Sequence, residues 1–330
     1  MNAWNTLVNT IGGAVEATRH SLSGIPGLGT VTEAPYMFRP FVMLVALGII
    51  AGLVGVLVNL RRMEFDAEAA VHSIFPGVVA GAVYGGIDAI VPAASIVAIF
   101  VTIALVVVHR IAKNHGSNHD EAGTAVVLTS FFALGVVMLL KKGDMSGQLE
   151  ALMFGRLLHV SDSRLVESLI VCLIALIILA ITWRTQIFCA FDEQGARAAG
   201  INTTLIDLII TGCVAAVVVA GSTAVGIVLV VGYLVIPGAA ARLLTRTIRG
   251  MVTVSIAVGI LGGYAGMLSL DLPTQRPLSP QAAVSLTMVA IFLTIWLITQ
   301  LTHLIRHRTP TPTPSHPTTD GTHHEGATPC

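Results

Sequence analysis

Charged side chains are scarce in this chain of 330 residues. Asp, Glu, Lys and Arg make up 11% of it, against about 25% in soluble domains, while 54% of its residues are apolar. The formal net charge is zero, which gives no indication of a nucleic-acid partner. We therefore expect an all-α, polytopic integral membrane protein with membrane lipid around it.

Cysteine motifs and nucleotide-binding loops are also lacking. The four cysteines lie far apart without a Cys-x-x-Cys pair, so the sequence indicates neither a disulfide framework nor a thiolate metal site. No glycine-rich loop ends in Gly-Lys-Ser or Gly-Lys-Thr, which excludes a Walker A phosphate loop. We expect no catalytic site and no permanently bound cofactor in this chain.

Long apolar runs are present instead. In a window of about 19 residues they predict eight or nine transmembrane helices, near 40–60, 67–90, 92–112, 122–140, 165–184, 205–220, 222–242, 252–270 and 282–304. The count stays open at 205–242, because glycines and the pair Pro237-Gly238 interrupt this run. It could hold two crossings or one broken helix.

The two ends of the chain differ in composition from this membrane domain, which we place at 39–305. Residues 1–38 lack the features of a signal peptide and are expected to form a lead-in with a surface-lying helix. Residues 306–330 are rich in Thr and Pro, so we expect a disordered cytoplasmic tail. Histidines in this tail could bind metal weakly, but incidental, solvated side chains are the favoured interpretation.

The basic residues indicate the orientation of the chain. With nine spans and an external N-terminus, eleven of them fall on the cytoplasmic side: Arg61, Arg62, Arg110, Lys113, Arg184, Arg197, Arg242, Arg246, Arg249, Arg306 and Arg308. Seven fall outside: Arg19, Arg39, Lys141, Lys142, Arg156, Arg164 and Arg276. This excess favours the orientation, since cytoplasmic loops are enriched in Lys and Arg.

The candidate functional site lies in the segment EAAVHSIFPG, residues 68–77. Glu68 and His72 are one helical turn apart, so both can reach one ion, and carboxylate and imidazole are ligands for first-row divalent metals. Pro76 and Gly77 follow, and Pro76 predicts a kink beside His72. Asp66 is a less favoured ligand, because it is turned by about 200° from Glu68 on a helix. A satisfied polar pair at a helix end is the alternative interpretation.

A second segment, AFDEQGARAAGI at 190–201, is polar and lies between apolar runs. Asp192 and Glu193 give a helix start and Gly200 a helix stop. The pattern predicts a short helix at the cytoplasmic surface, which is either an ordinary connector or a docking element.

Other polar residues have simpler explanations. We interpret His109, His115 and His119 as part of a solvated connector, and Asp207 as a residue that water solvates at the end of a span.

The chain resembles the permease subunits of the zinc, manganese and iron(II) ABC importer family over nearly all of 36–304. Six segments carry the resemblance in the expected order: RRMEFDAEAAVHSIFPG at 61–77, DEAGTAVVLTSFFALGVVMLL at 120–140, LEALMFGRLL at 149–158, AFDEQGARAAGI at 190–201, GIVLVVGYLVIPGAAARLLT at 226–245 and DLPT at 271–274. There are two departures. Many members have Asp where this chain has Glu68, and Gly usually follows DLPT where this chain has Gln275.

The resemblance implies a type II-like ABC importer permease that moves Mn, Zn or Fe(II) across a bacterial-type inner membrane. Glu68 and His72 would be transient metal ligands. The short helix would be the ATPase coupling element, with Asp192, Glu193, Arg197 and Gly200. The implied partners are a second permease chain, identical or related, cytoplasmic ATP-binding subunits and an extracytoplasmic metal-binding protein.

Two other functions stay open from the residues alone. A secondary metal transporter or a channel could use the same Glu68 and His72 pair, although no clear repeat relates the two halves of the chain. An ABC permease for a metal chelate would need a wide pore without paired metal ligands. The ligand types do not choose among Mn, Zn and Fe(II), and the absence of thiolate ligands slightly favours Mn or Fe(II).

Overall fold

The structure is a computed structural model that describes residues 3–25, 27–33, 35–86, 89–114, 121–141, 157–271 and 279–308. Throughout these ranges the regular structure is helical, and strands are absent from them. The described helices include nine that are long and apolar enough to cross a membrane. The expected all-α membrane fold is therefore confirmed, with nine candidate spans.

We number the α-helices in chain order. They are α1 (Ala3–Leu22), α2 (Gly29–Thr32), α3 (Pro35–Arg61), α4 (Glu64–Ser73), α5 (Phe75–Ala80), α6 (Ile90–Asn114), α7 (Glu121–Leu140), α8 (Asp162–Phe191), α9 (Glu193–Ala198), α10 (Thr203–Ala224), α11 (Ile227–Leu244), α12 (Ile248–Leu268) and α13 (Pro280–Arg308). A π-helical turn, Gly81–Gly85, continues α5, and 3-10 turns occupy Leu157–His159 and Ser269–Asp271. Helices α4 and α5 with the π-helical turn make up one span, Glu64–Gly85.

The run at 205–242 contains two helices, α10 and α11, so it does not hold a single broken helix. The chain reverses direction at Val225 and Gly226, and Gly226 has a φ of 99°. Glycine adopts this left-handed conformation without the steric cost that a Cβ would bring. Pro237 lies inside α11, and α11 continues beyond it to Leu244.

Helix α3 occupies the centre of the bundle and packs against α8, α10, α11 and α12. Its contact with α11 is made through backbone, because a Cβ on Gly238 would come within 2.5 Å of the Gly55 carbonyl oxygen. Helices α7 and α13 are peripheral, and only 22% and 17% of their apolar windows are buried. Their exposed Leu, Val and Trp side chains are suited to contact with lipid tails.

Helix α1 precedes the first span and packs on α8 and α3. Its inner face includes Val15 and Leu22, which pack against the core. Arg19 donates hydrogen bonds to Glu16 and to the Thr32 carbonyl oxygen, and this pairing lowers the pKa of the Glu16 carboxyl. The N-terminal lead-in thus contains a helix. The tail beyond Arg308 lies outside the described residues.

The arginine-rich ends of several helices meet on one side of the bundle. Arg61 at the end of α3 pairs with Asp207 of α10 at 2.7 Å, and Arg242 of α11 donates to the Asn59 side-chain oxygen at 3.1 Å. Arg110 of α6 contacts the Thr204 hydroxyl. The helix ends that the sequence assigns to the cytoplasm therefore lie together at one end of the bundle.

Candidate metal site and coupling helix

The span Glu64–Gly85 is the least hydrophobic of the nine candidate spans, and 72% of its most apolar window is buried. Helix α4 in this span contacts α6, α7, α10 and α11. It begins after a tight turn in which Arg62 has a φ of 57°. A polar span enclosed by other helices is unlike a simple lipid anchor, and ionisable groups within membrane spans usually have a function.

The span is interrupted beside His72. Helix α4 ends at Ser73, Ile74 forms a turn, and Pro76 lies in the first turn of α5, where its missing N–H removes no helical hydrogen bond. Close packing holds the break in place. A Cβ on Gly77 would lie 2.8 Å from the Ala94 Cα of α6, and one on Gly135 of α7 would lie 3.0 Å from the Pro76 nitrogen.

Glu68 and His72 lie on the outward stripe of α4, with Phe65. Glu68 and Phe65 are exposed, and His72 is half-buried. The His72 ring stands edge to face against Phe132 of α7, with centroids 6.0 Å apart and planes at 88°. This contact limits rotation of the imidazole. The two candidate ligands therefore present a carboxylate and an oriented imidazole to whatever covers this face of the chain.

Asp66 points to a different neighbour. It is buried, it accepts a hydrogen bond from Thr124 Oγ1 at 2.8 Å, and its Oδ2 lies 3.6 Å from His109 Nε2. It thus contacts α6 and α7 from the buried side of α4, while Glu68 lies on the exposed side. His109 belongs to α6, so it is not part of a solvated connector. His115 and His119 lie outside the described residues.

A single chain supplies an incomplete metal site. Among the described residues, no group of three or more His, Cys, Asp or Glu side chains is close enough to hold a metal ion. Two ligands from one helix leave about half or more of a divalent metal's coordination positions to water or to another chain. This geometry suits a site that a second chain completes.

The short helix expected in 190–201 is present as α9. Asp192 precedes it and accepts a hydrogen bond from the Gly195 N–H at 2.7 Å, and Arg197 pairs with Glu193 at 2.6 Å. Gly200 has a φ of 81° and ends the turn. The inner face of α9 is anchored by the fully buried Ala196, which packs against Cys189 and Ile206. Its outer face, with Arg197, is exposed.

A cavity of about 670 Å³ lies between α9 and the start of the α4 span. Its lining includes Arg61, Met63, His109, Asp192 and Asp207. The Arg61 side chain is 8% exposed and pairs with Asp207, which sequence reasoning treated as solvated at a span end. Asp207 remains 24% exposed, so the ion pair adds to the solvation expected at the span end. The partner could not be identified from local signals, since 146 positions separate the two residues.

Comparison with known proteins identifies the family. The ABC 3 transport family profile matches residues 33–299, which is most of the chain. The chain belongs to the ABC 3 transport family. The manganese transport system membrane protein MntC of Halalkalibacterium halodurans is 31% identical over 235 residues, which is 70% of this chain and 77% of that protein.

Two further matches agree with this membership. The chelated iron transport system membrane protein YfeC of Yersinia pestis is 25% identical over 238 residues, covering 72% of this chain and 79% of YfeC. The structure of PsaBC from Streptococcus pneumoniae in complex with Fab superposes with a TM-score of 0.71 at 22% identity, covering 86% of this chain and 99% of that one. The ABC 3 match begins at residue 33 and so leaves α1 outside it.

Proposed function

We propose that this chain is the membrane-spanning permease of an ATP-driven importer for divalent transition metal ions, Mn, Zn or Fe(II). Membership of the ABC 3 transport family supports the transport class, and its relatives include membrane proteins of manganese and chelated iron transport systems. The observation that carries the proposal is the pair of metal-ligand types, Glu68 and His72, on one open face of the least hydrophobic span.

A second permease chain completes the site. An ionised side chain facing hydrocarbon costs about 2.5–3.5 kcal/mol at the centre of a bilayer, and less toward its edge. Glu68 is exposed in the single chain, so covering it with a polar partner surface removes that cost. Two-fold pairing of identical chains would bring two carboxylates and two imidazoles around a shared axis. A related permease chain with equivalent residues would serve equally well.

ATP is hydrolysed by a separate ATP-binding subunit that docks on α9. The chain lacks a Walker A loop. The exposed face of α9, with Arg197, is the docking surface, and its buried Ala196 connects it rigidly to α8 and α10. An extracytoplasmic metal-binding protein delivers the ion from the other side of the membrane. The membrane is the bacterial-type inner membrane.

Polar contacts between neighbouring helices connect the region of α9 to α4, the helix that carries the proposed metal ligands. Asp207 lies on α10, nine positions after α9 ends, and its partner Arg61 lies three positions before α4 begins. A parallel connection passes through α6, whose Arg110 contacts Thr204 and whose neighbour His109 approaches Asp66. Movement of α9 on docking would thus be transmitted to the base of the helix that carries Glu68 and His72.

Metal uptake by cells lacking their own importer tests the site, with permease levels matched by blotting. Glu68→Gln removes the charge at nearly constant shape, and His72→Ala removes the imidazole; we expect either to stop uptake because a dimer loses two of its four ligands. Glu68→Asp should retain uptake with altered metal preference, because the shorter arm changes the reach of the carboxylate. Glu121→Gln, at the exposed start of α7, is the matched control and should transport normally.

Two outcomes would contradict the assignment. If Glu68→Gln transports normally, Glu68 is not the acidic ligand, and loss of metal binding in a folded Asp66→Asn variant would then assign that role to Asp66. Uptake that persists in the absence of any ATP-binding subunit would instead favour a secondary transporter or a channel using the same residues.

A further inference from the structure

An apolar groove of about 560 Å³ opens between α3, α8 and α12. Leu53 of α3, Leu179 and Trp183 of α8 and Val252 of α12 form its walls, and Arg249 stands at its edge. Its lining is almost entirely apolar apart from Arg249 and Thr253. The groove lies toward the arginine-rich end of the bundle, because α8 approaches its end and α12 starts there.

The deep end of the groove is closed by direct helix contact. Ser255 of α12 donates a buried hydrogen bond to the Gly52 carbonyl oxygen of α3 at 2.9 Å. One turn farther, a Cβ on Gly48 would lie 3.0 Å from the Gly259 backbone. The groove therefore lies on the arginine-rich side of this contact, between α8 and the packed pair of α3 and α12. From Leu176 to Trp183 it extends about 10 Å along α8, which is long enough for the upper half of an acyl chain.

The mouth of the groove is positively charged. Arg249 lines it, Arg184 follows Trp183 on α8, and Arg246 lies in the turn before α12; all three are exposed. Helices α3, α11 and α12 contain no Asp or Glu, and those of α8 lie at its opposite end. The acids just beyond α8 are already engaged, Asp192 by the Gly195 N–H and Glu193 by Arg197.

We propose that this groove binds one anionic phospholipid of the cytoplasmic leaflet. The acyl chain fills the apolar walls, the phosphate-bearing headgroup contacts Arg249 with Arg184 and Arg246 nearby, and Trp183 lies at the level of the glycerol. Basic pockets between membrane helices on the cytoplasmic side are suited to anionic headgroups, and tryptophan prefers the interface. The groove lining contains no residue of α4 or α7, so we expect the lipid and the partner chain at Glu68 to occupy different faces of the chain.

Fluorescence quenching tests the proposal directly. The chain has three tryptophans, Trp4, Trp183 and Trp296, so Trp4→Phe with Trp296→Phe leaves only the groove residue. The purified full-length permease is placed in phosphatidylcholine bilayers that contain a fixed fraction of either brominated phosphatidylglycerol or brominated phosphatidylcholine. If the groove binds an anionic lipid, brominated phosphatidylglycerol should quench Trp183 about five times more effectively than brominated phosphatidylcholine. One nearby arginine contributes about that factor in binding an anionic lipid.

Matched variants distinguish quenching by a lipid bound in the groove from quenching by the surrounding bilayer. The protein that retains only Trp296, exposed on α13, should be quenched equally by the two lipids. Arg249→Gln should remove most of the preference at Trp183, whereas Lys141→Gln at the far end of α7 should leave it unchanged. Equal quenching of Trp183 by both lipids, or a preference that survives Arg249→Gln, would overturn the proposal. Loss of quenching by both lipids would show that protein covers the groove, which also overturns it.

Discussion

The ion pair between Arg61 and Asp207 gives the sharpest test of how α9 communicates with α4. The Arg61 Nη1 to Asp207 Oδ1 distance is 2.7 Å, and the two side chains are 8% and 24% exposed. The Arg61 Nε and Nη2 atoms are buried without a hydrogen-bond partner among the described residues. Arg61 therefore depends heavily on this one carboxylate, and removing it leaves a nearly buried guanidinium unpaired.

We expect Asp207→Leu to lower the free energy of unfolding by about 1.5–3 kcal/mol, the range for hydrogen bonds to charged groups. The loss should be smaller than for a fully buried ion pair, because Asp207 keeps some solvent access. The matched control is the Arg39 and Asp162 pair at the opposite end of the bundle, 2.8 Å apart with both side chains 38% exposed. Its loss in Asp162→Asn should cost about 1 kcal/mol or less.

A double variant separates stability from coupling. Replacing a buried pair by apolar residues can restore stability, so Arg61→Met with Asp207→Leu should regain much of what Asp207→Leu loses. The double variant still lacks the polar link. In the assembled transporter in nanodiscs, we expect its basal ATP hydrolysis to persist while stimulation by the metal-loaded binding protein falls well below that of the unmodified protein, because only the connection through α6 remains. Asp162→Asn should retain full stimulation. Recovery of stimulation in the double variant would refute the link and leave the pair a structural role only.

Two further predictions concern close packing and docking. Ala198→Glu on the exposed face of α9 should abolish stimulated ATP hydrolysis without lowering the melting temperature of the permease, and unchanged stimulation would exclude this face as the docking surface. Gly200→Glu is a poorer test, because its φ of 81° would add about 1–2 kcal/mol of backbone strain. Gly77→Val should sharply reduce folded protein on size-exclusion chromatography, because its side chain would meet the α6 backbone at Ala94, whereas Gly13→Ala has open space and should be neutral.

The helices were predictable because their signals are local. Apolar windows located the spans, and Asp192 and Gly200 marked the two ends of α9, which is six residues long. The spacing of Glu68 and His72 was enough to predict that they form a ligand pair. It could not show which face of α4 they occupy, because the neighbouring alanines give that helix almost no periodic difference between its faces.

The tertiary contacts could not be predicted from the sequence, because the residues that meet are far apart along the chain. Asp66 meets Thr124 across 58 positions, and Arg61 meets Asp207 across 146. A charged residue near a span end looks the same whether water or a distant partner solvates it. Only the packing of α3 against α10 decides between these alternatives for Asp207.

The backbone contact between Gly55 and Gly238 also determines what kind of motion α11 can make. With no side chain between the helices, α3 and α11 cannot approach further, so the crossing point acts as a fulcrum. It divides α11 unequally, with about 16 Å toward Ile227 and about 9 Å toward Leu244. A tilt that moves the arginine-rich end by about 1.5 Å would then move the other end by nearly 3 Å in the opposite direction. Small displacements at the arginine-rich end of α11 would thus arrive at its other end roughly doubled and reversed.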